Sequence, residues 1–527
     1  MSTVAEQIAR TLADAGVRYV FGHPGGEVAH LIEALRQVDI PFVLTRHEAT
    51  AGFLAASWGE LSGRPGVCLS TLGPGATNLL SGVAQGYLDR CPMIAITAQL
   101  ATDREIRSPH QRLDLGKLFA PVTKASIRVA ADTAATAVEH ALYLATSERP
   151  GPVHLEVPSN VAAQPFEGVV RGVRFGDVGR LASPGVDQAR DALAGARRPA
   201  ILAGIGAVRC QASDQLVRLA ETLGAPVVTT PKAKGVFPED HPLAAGVMDM
   251  TGEAVVNELL READLLLTAG FDVVELIKPW GFAAPVVHLD TIANTDQLYE
   301  AQVEVVGNVA LALAELAETA RPSQWPSGRM SEHKRRLRAA LRSRVTGLAP
   351  QTVMETVREL LPRHGVVASD VGAHKILLGQ VWTAYEPRTY VVSNGLSSMG
   401  TGIPGAMAAR LLWPERPAVA IVGDGGLGMY LGELETAVRL GIDLPIVVLV
   451  DGSLSLIKLG QVGRGYPPAG VDFDTPQLSR IAEGFGAAGE RVTTAAEVRG
   501  ALERALERGG VTLIEAVIDA RAYTGGE

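Results

Sequence analysis

The stretch that decides the fold is GDGGLGMYLGELETAVRLGIDLPIVVLVDGSLSLIKLGQ, which runs from Gly423 to Gln461. It begins where the apolar segment 417–422 ends in a Gly-Asp-Gly-Gly turn, and a helical pattern that closes at Gly441 follows. A second apolar segment, 444–450, then ends in Asp451-Gly452-Ser453. One crossover helix thus brings two strand ends side by side, which is where open α/β sheets bind their ligands.

An acidic residue marks each of these two strand ends. Asp424 and Asp451 are 27 positions apart in the chain (451 − 424). Hard carboxylate oxygens and the backbone N–H groups of glycines suit a divalent cation that carries a diphosphate. An ordinary βαβ unit with a glycine turn would explain the same residues, so the turn alone leaves both interpretations open.

The amino-acid composition limits the classes of protein to which the chain can belong. A chain of 527 residues with 47% hydrophobic and 20% charged residues predicts a globular protein of three or four domains. The net charge of −9 argues against a nucleic-acid partner, and the short basic run Lys334-Arg335-Arg336 is expected to be a solvated helix face. Three widely spaced cysteines suit a reducing compartment. With neither a leader pattern nor an apolar run near about 18 residues, we expect a cytoplasmic protein without a membrane partner.

Along the chain, apolar strands alternate with helical patterns, and a capping box at Thr3 and Glu6 opens the first helix. This alternation predicts an α/β protein with three doubly wound parallel sheets. The predicted strands are 19–21, 41–44, 66–70, 92–98 and 152–157, then 200–207, 226–230, 265–270 and 286–290, then 365–369, 390–393, 417–422, 444–450 and 511–518. We expect domains at 1–170, 185–322 and 350–527, with a boundary at Ser183-Pro184 and a strand-free linker at 323–349.

The Gly-Asp-Gly turn and its interval resemble the signature of thiamine diphosphate enzymes. In that family the Asp, an Asn at the second position and a backbone carbonyl two residues later hold magnesium against the diphosphate. The resemblance implies that Asp424, Asp451 and the carbonyl of Ser453 are the metal ligands, with Asp451 as a departure from Asn. The three domains are similar to the pyrimidine-binding, central and diphosphate-binding domains of the acetolactate synthase and pyruvate oxidase branch.

Catalytic candidates follow from the same resemblance. PFVLTRHE, ending at Glu48, resembles the segment whose glutamate shares a proton with the cofactor's pyrimidine and so promotes removal of the C2 proton. A charge in a first helical turn is the plainer interpretation of Glu48. His23, on a Gly-Pro-Gly turn, is a candidate proton shuttle or a structural residue, and His47 is expected to pack. Gln111 lies in a run that resembles the substrate-side HQ-x-LD segment of acetolactate synthases.

Other residues are implied to surround the cofactor. Met399 resembles the large apolar residue that holds the cofactor bent, with its amino group against C2. The implied cofactor-binding residues are Gly25, Gly372, His374, Ser397, Met399, Gly423, Gly425, Gly426, Leu454 and Ser455.

The substrate pocket departs from the biosynthetic acetolactate synthases. Lys458 falls on their substrate-side Arg, and Gly460 falls on their pocket Trp. We therefore expect an acceptor pocket that is roomier or differently filled.

A flavin is the least supported cofactor. Gly204-x-Gly206 lacks the third glycine of a dinucleotide fingerprint. The segments 231–235 and 270–272 match the family's flavin-binding segments only in part. The sequence favours an enzyme without FAD and leaves its presence open.

The expected activity is decarboxylation of a 2-oxo acid, dependent on thiamine diphosphate and Mg²⁺, with transfer of the acyl unit to a carbonyl acceptor. Simple decarboxylation to an aldehyde, a flavin oxidase and a non-catalytic family member are the alternatives. Glu48 and the diphosphate motif lie in different domains, which meet across a subunit interface in this family. A homodimer or homotetramer is therefore expected.

Overall fold

The computed structural model describes residues 2–105, 107–179 and 185–524. The strands among them form three six-stranded sheets in which every strand pair is parallel, and this confirms the predicted α/β class. The expected boundary at Ser183-Pro184 lies outside the described residues.

The first sheet has the strand order β2-β1-β3-β4-β6-β5. Its strands are β1 (Val20–His23), β2 (Phe42–Leu44), β3 (Gly66–Ser70), β4 (Met93–Gln99), β5 (Ala125–Arg128) and β6 (Pro152–Pro158). Its helices are α1 (Val4–Asp14), α2 (Ala29–Gln37), α3 (Glu48–Ser62), α4 (Pro74–Leu88), α5 (Leu115–Phe119), α6 (Ala134–Thr146) and α7 (Ser159–Ala162). The predicted capping box opens α1. The order reverses between β1 and β3, so the ligand-binding position lies at their carboxyl ends.

The second sheet has the order β12-β11-β10-β7-β8-β9. Its strands are β7 (Pro199–Ala203), β8 (Val227–Thr229), β9 (Ala244–Val247), β10 (Leu265–Ala269), β11 (Val286–Asp290) and β12 (Ala301–Val306). Its helices are α8 (Gly185–Gly195), α9 (Ile205–Arg209), α10 (Ser213–Leu223), α11 (Glu253–Glu262) and α12 (Val309–Thr319). The equivalent switch point lies between β7 and β10.

The predicted linker 323–349 contains one helix, α13 (Arg329–Ala340), and no strand. The basic run on this helix is only partly solvated, against our expectation. Lys334 donates to the carbonyl oxygen of His241 at 2.6 Å, and Arg336 forms a hydrogen-bonded ion pair with Glu258. Arg335 alone of the three extends into solvent.

The third sheet has the order β14-β13-β15-β16-β18-β17. Its strands are β13 (Val366–Ser369), β14 (Tyr390–Val392), β15 (Ala418–Gly423), β16 (Leu444–Val450), β17 (Ala488–Val492) and β18 (Val511–Val517). Its helices are α14 (Pro350–Leu360), α15 (Ala373–Val381), α16 (Gly402–Leu412), α17 (Asp424–Met429), α18 (Glu433–Arg439), α19 (Ser455–Gly463), α20 (Leu478–Gly484) and α21 (Ala495–Arg508). Its switch point lies between β13 and β15.

The crossover between β15 and β16 differs from the single helix that we predicted. It consists of α17 and α18, interrupted at 430–432. Glycines at 425, 426, 428 and 432 weaken a continuous helix, because glycine loses the most backbone entropy when it becomes helical. The break separates the residues at the strand end from those that follow, and the two parts belong to different compact units.

Contacts divide the chain into two compact units. The first is Met1–Asp177 with Leu396–Pro414 and Tyr430–Leu440, and the second is Val178–Gly395 with Glu415–Met429 and Gly441–Glu527. Within the described part of the chain, no helix combines the length and apolar character that a membrane crossing needs.

Candidate cofactor site

Asp424 ties together the carboxyl ends of β15 and β16. Its Oδ2 accepts the backbone N–H of Gly452 at 2.8 Å and that of Asp451 at 3.3 Å. It also accepts the Thr475 hydroxyl at 2.8 Å. The ends of β15 and β16 are therefore adjacent, as the crossover pattern predicts. Thr475 was not predicted, because no motif links it to a turn 51 residues earlier.

Asp451 lies beside this carboxylate and is held by its own turn. Its Oδ1 accepts the N–H of Ser453 at 3.1 Å, and its Oδ2 accepts the Ser455 hydroxyl at 2.6 Å. Burial raises the pKa of Asp451, and the charge of Asp424 raises it further against the hydrogen bond from Ser455. A bound cation would offset this repulsion between the two carboxylates.

The donor set fits Mg²⁺. Oδ1 of Asp424 and both oxygens of Asp451 keep a lone pair for a metal, whereas Oδ2 of Asp424 already accepts three hydrogen bonds. No group of three or more His, Cys, Asp or Glu side chains suited to a metal occurs in residues 2–105, 107–179 or 185–524. Mg²⁺ needs no such cage, because it usually combines one or two carboxylates with water and phosphate oxygens. Asp424, Asp451 and the Ser453 carbonyl could therefore hold it together with a diphosphate.

His374 supplies an unpartnered polar atom next to the Gly-Asp-Gly turn. The side chain is buried, and its Nε2 has no hydrogen-bond partner among the described residues. Burial lowers the pKa of His374 to about 4, so the ring is neutral near pH 7. A Cβ at Gly423 would lie 3.2 Å from this ring. Since buried polar atoms are normally hydrogen-bonded, His374 fits a residue that binds a phosphate oxygen, whose negative charge would favour the protonated ring that lets Nε2 donate.

Asp370 lies against Gly426 and was not predicted as a site residue. A Cβ at Gly426 would be 2.0 Å from Asp370 Oδ2, so glycine is required there by the carboxylate. Tyr523 also lies near the motif, since burial and then the charges of Asp451 and Asp424 raise its pKa well above the usual value. The position of Asp370, directly after β13, was the available sequence signal.

The expected substrate residues lie on α19. Lys458 forms an ion pair with Asp472, with 2.8 Å between Nζ and Oδ1. Arg464 donates to the carbonyl oxygen of Gly460 at 3.0 Å, and its Nη1 would be 3.1 Å from a Cβ at that glycine. The space beside Gly460 is thus partly filled by a flexible, exposed arginine. Leu454, a predicted cofactor residue, precedes α19 and donates its N–H to Val471 at 2.8 Å.

Glu48 lies in the first compact unit, at the start of α3. The side chain is buried, and its Oε2 accepts a hydrogen bond from Asn78 at 3.0 Å. The described residues give Oε1 no hydrogen bond. A Cβ at Gly75 would lie 3.5 Å from Oε1 and 2.7 Å from Thr71 Cγ2, so a bulkier residue there would crowd the carboxylate. Glu48 therefore retains an acceptor oxygen beside a glycine turn.

Glu433 fixes the loop that carries Glu48. Its carboxylate accepts the N–H of Arg46 at 3.1 Å and that of His47 at 3.0 Å, and it accepts the Thr436 hydroxyl at 2.7 Å. His47 in turn caps α3, because its Nδ1 accepts the N–H of Ala49 at 3.0 Å. Glu433 was missed because no local pattern connects it with residues 386 positions earlier.

The other predicted residues of the first unit surround the same turns. His23 Nδ1 donates to the Thr45 carbonyl at 2.8 Å, which leaves Nε2 as an acceptor in the neutral ring. Gln111 is exposed and lies against Gly73. A Cβ added at Gly73 would be 3.1 Å from the Cβ of Gln111. A Cβ at Gly25 would lie 2.5 Å from Thr71 Oγ1, so Thr71 connects the two turns.

Ser397 and Met399 belong to the part of the C-terminal sequence that packs in the first unit. Met399 is half-buried, and Ser397 has a φ of 54°. Gly400 follows with a φ of 92°, and its Cβ would lie 2.0 Å from the ring of Tyr430. Only glycine fits this position, which fixes the direction of the chain after Met399.

The central sheet carries a buried carboxylate at its own switch point. Both oxygens of Glu275 accept the N–H of Ile205 at 3.1 Å, and Oε2 accepts the N–H of Asp272 at 3.1 Å. The Thr230 hydroxyl donates to Oε1. Burial raises the pKa of Glu275 to about 8, and the charge of Asp272 raises it as well.

This arrangement does not fit the diphosphate of a flavin dinucleotide. Such a diphosphate binds to the N–H groups of the glycine turn after the first strand. Here the Ile205 N–H is used by Glu275, and the Gly206 N–H donates to Gly270 at 2.7 Å. A Cβ at Gly204 would be 2.5 Å from Glu275 Oε2. Gly204 makes room for Glu275, whose carboxyl group accepts the Ile205 N–H that a phosphate would otherwise bind.

Three segments of the chain each match a domain of the same family of known proteins. Residues 2–118 match the N-terminal binding domain of thiamine pyrophosphate enzymes, residues 186–316 match their central domain, and residues 370–516 match their C-terminal binding domain. These matches span more than half of the chain.

Similar proteins cover nearly the whole length. The probable acetolactate synthase large subunit of Methanocaldococcus jannaschii is 30% identical over 98% of this chain and 92% of its own. The acetolactate synthase large subunit of Corynebacterium glutamicum is 32% identical over 96% of this chain and 85% of its own. The acetolactate synthase of Bacillus subtilis is 28% identical over 98% and 93%.

Proposed function

Because the chain belongs to the thiamine pyrophosphate enzymes, in the branch of the acetolactate synthases, we propose that it is a carboligase dependent on thiamine diphosphate and Mg²⁺. It decarboxylates a 2-oxo acid and transfers the acyl unit to a carbonyl acceptor. The observation that carries this proposal is the pair of carboxylates at adjacent strand ends, Asp424 and Asp451, with the unpartnered Nε2 of His374 beside them. Thiamine diphosphate, when bound, supplies the carbon nucleophile.

The protein's own residues bind, orient and move protons. Asp424, Asp451 and the Ser453 carbonyl would hold Mg²⁺, and His374 would donate from Nε2 to a phosphate oxygen once the negative charge of the diphosphate favours its protonated ring. Glu48 holds a proton against the pyrimidine with its open Oε1, while Asn78 keeps Oε2 in place. His23 accepts or returns a proton at Nε2. Gln111 and Lys458 orient the acid and its acceptor.

A flavin has no part in this proposal. Glu275 occupies the position of the phosphate in the central domain, so we propose an enzyme that needs no FAD. The test is titration of FAD into the apoprotein, followed by flavin fluorescence, with activity measured in the same samples. Saturable binding, or activity that requires FAD, would refute this part alone.

We also propose that two subunits form each site, as a homodimer or homotetramer. Helix α19 has no buried residue, and Leu456, Ile457 and Val462 are all exposed on it. Exposed apolar side chains so close to the motif favour a partner surface. Mixing inactive Glu48→Gln with inactive Asp424→Ala subunits should restore part of the activity. If the subunits exchange and no activity returns, each site is built within one subunit.

We also propose three domains, at 1–170, 185–322 and 350–527, with a linker at 323–349. A cytoplasmic location is proposed as well, and the three buried cysteine thiols support it.

The reaction is tested by product analysis. The holoenzyme is incubated with pyruvate, with and without an added aldehyde or second 2-oxo acid, and the products are identified by mass spectrometry. Carboligation predicts a condensation product in place of free aldehyde. Acetaldehyde as the sole product, with every acceptor, would show a simple decarboxylase.

The acceptor pocket has its own test. Gly460→Trp should fill the space that Arg464 now partly covers and should penalise bulky acceptors more than small ones. Arg464→Ala is the matched variant and should have the opposite effect. An equal loss for all acceptors would place both residues outside the pocket.

A further inference from the structure

A cavity of about 800 Å³ lies within the second compact unit, and neither the diphosphate motif nor Glu275 lines it. Its walls come from strands β8 and β9 of the central sheet, from helix α13 of the linker, and from the beginning of α14 and the end of α15. The volume is in the range of small-molecule sites, about 300–1,000 Å³. A ligand there would contact the central domain, the linker and the C-terminal domain at once.

The cavity has an apolar side formed by Val227, Phe237, Val247 and Leu337, all of which are buried. A flat or branched apolar group of a few carbon atoms can pack against this side. Such packing is favourable in proportion to the apolar area removed from water.

Two buried side chains among the lining residues each have a polar atom without a hydrogen bond. Thr229 is 3% exposed and Gln351 is 7% exposed, and both line the cavity. The hydroxyl oxygen of Thr229 and Oε1 of Gln351 have no hydrogen bond among the described residues. Unsatisfied buried polar groups cost free energy, so their presence at one cavity favours a bound molecule that supplies the missing hydrogen bonds.

Three cations and three carboxylates line the cavity. Lys334, Arg338 and Arg342 recur every four residues and line the cavity together. In the described part of the chain, neither arginine forms an ion pair. Burial lowers the pKa of Lys334, and the positive charge of the neighbouring Arg338 lowers it further.

The acidic residues of the lining do not balance these cations. Glu239 is paired with Lys234 at 2.6 Å, and Asp240 is paired with Arg363 at 2.9 Å. Glu355 remains as the one lining carboxylate without an ion pair among the residues described. An anionic group near Arg338 and Arg342 would therefore be attracted, and arginine is well suited to bind carboxylate or phosphate with two hydrogen bonds.

We propose that this cavity is a binding site for a small organic anion, distinct from the cofactor site. Its carboxylate or phosphate group lies against Lys334, Arg338 and Arg342, its apolar part packs on Phe237 and Leu337, and its polar atoms reach Thr229 and Gln351. Because α13 connects two domains, occupancy of the cavity would stabilise their arrangement within this unit.

Calorimetric titration of the full-length holoenzyme, saturated with thiamine diphosphate and Mg²⁺, tests the proposal. Benzoate and phenyl phosphate carry the two head groups on one ring, and benzyl alcohol is the neutral control. At least one anion should bind with a Kd below about 1 mM, and the alcohol should bind at least tenfold more weakly. The better anion identifies the head group.

Substitutions inside and outside the cavity show where the anion binds. Arg338→Glu should raise the Kd at least tenfold, and Thr229→Val should raise it several-fold while it keeps the side-chain shape. The matched control is Arg335→Glu, on the same helix but solvent-exposed and outside the cavity, which should change the Kd less than twofold. Circular dichroism and basal activity verify that the variants fold.

Three results would overturn the proposal: saturation by neither anion below about 10 mM, equal binding of benzyl alcohol, or equal weakening by Arg335→Glu and Arg338→Glu. None of them would affect the proposed carboligase reaction, which depends on other residues.

Discussion

The central and C-terminal sheets each place a glycine turn and a buried carboxylate at a switch point, yet the carboxylates have different surroundings. Glu275, after strand β10 of the central sheet, is buried and accepts hydrogen bonds from three groups, and burial raises its pKa to about 8. Asp424 in the C-terminal sheet lies beside a second carboxylate, Asp451, and near an imidazole nitrogen without a partner. The oxygens of Glu275 are satisfied by groups of the protein, whereas a bound cation would stabilise the neighbouring carboxylates Asp424 and Asp451.

This difference shows why a glycine turn after a strand is a weak predictor of binding. The glycine at 204 accommodates a protein carboxyl group, and the glycine at 426 accommodates Asp370. What distinguishes the two sites is the carboxylate itself, because three donors of the protein satisfy Glu275, whereas Asp424 lies beside a second carboxylate. Substitutions of these carboxylates test this distinction, and their effects should differ in size and in kind.

The largest effect is expected for Asp424→Ala. Loss of a metal ligand should reduce turnover by more than about a hundredfold at ordinary cofactor levels, because the Mg²⁺ that holds the diphosphate is bound less tightly. Steady-state kinetics and a thiamine diphosphate titration are the measurements. Asp191→Ala, at an exposed position of the central domain, is the matched control and should be neutral. Wild-type cofactor affinity in Asp424→Ala would contradict the metal assignment.

Glu48→Gln extends the comparison to the first sheet. The amide keeps the shape but cannot share a proton with the pyrimidine, so turnover should fall on the order of a hundredfold. Cofactor affinity should remain close to that of the wild type, in contrast to Asp424→Ala. Glu33→Gln, at an exposed acid of α2, serves as the control. Normal turnover with saturating cofactor would remove Glu48 from the mechanism.

Glu275→Ala should show the opposite pattern, with stability lost and cofactor affinity kept. The variant leaves the N–H groups of Ile205 and Asp272 and the Thr230 hydroxyl without their acceptor. We expect the free energy of unfolding to fall by about 3 kcal/mol, since each unsatisfied buried group costs about 1–3 kcal/mol. Urea denaturation measures this loss. A stable variant with weakened thiamine diphosphate binding would mean that the two crevices are not functionally different.

The pH dependence of stability gives a finer test of Glu275. Its pKa is raised to about 8 in the folded protein, against a reference value of 4.5. The stabilisation that comes with a raised pKa is complete below about pH 4.5 and is lost as the pH rises through 8. The unfolding free energy of the wild type, relative to Glu275→Gln, should therefore decrease between pH 5 and pH 8. A constant difference over this range would mean that Glu275 is ionised throughout.

The smallest effect is expected for Asp451→Asn. The variant should stay active, because the amide oxygen still coordinates Mg²⁺, and it should bind thiamine diphosphate better when Mg²⁺ is scarce. The reason is that the wild-type carboxylate repels the diphosphate unless the metal lies between them. Titration of the cofactor at several Mg²⁺ concentrations measures this. Identical metal dependence in both proteins would show that Asp451 is not a ligand.

The fold could be predicted from sequence wherever strands are buried on both faces. Those strands read as continuous apolar runs, and 444–450 and 66–70 were predicted with the bounds that the structure has. The four strands that we did not predict are β5, β9, β12 and β17, and each lies at the edge of its sheet. Edge strands are exposed on one side, as in the alternating β5, so their apolar pattern is interrupted.

The candidate site was predictable where its residues are close in sequence. The adjacency of Asp424 and Asp451 followed from one crossover, and the turn residues followed from their strands. Thr475 and Glu433 could not be predicted, because each contacts the site through a hydrogen bond between distant segments. Glu275 was missed for another reason: an acid three residues after a capping Asp has the pattern of an ordinary helix start.

The hydrogen bonds of Glu433 to the loop before Glu48 bear on how this protein can be divided and recombined. The first compact unit includes Leu396–Pro414 and Tyr430–Leu440, so its contacts depend on sequence far beyond residue 177. A polypeptide truncated after its first sheet would lose the acceptor for the N–H groups of Arg46 and His47. Chimaeras with other enzymes of the family should therefore exchange the helix 433–439 together with the N-terminal segment, although the two are separated in the gene by the whole central domain.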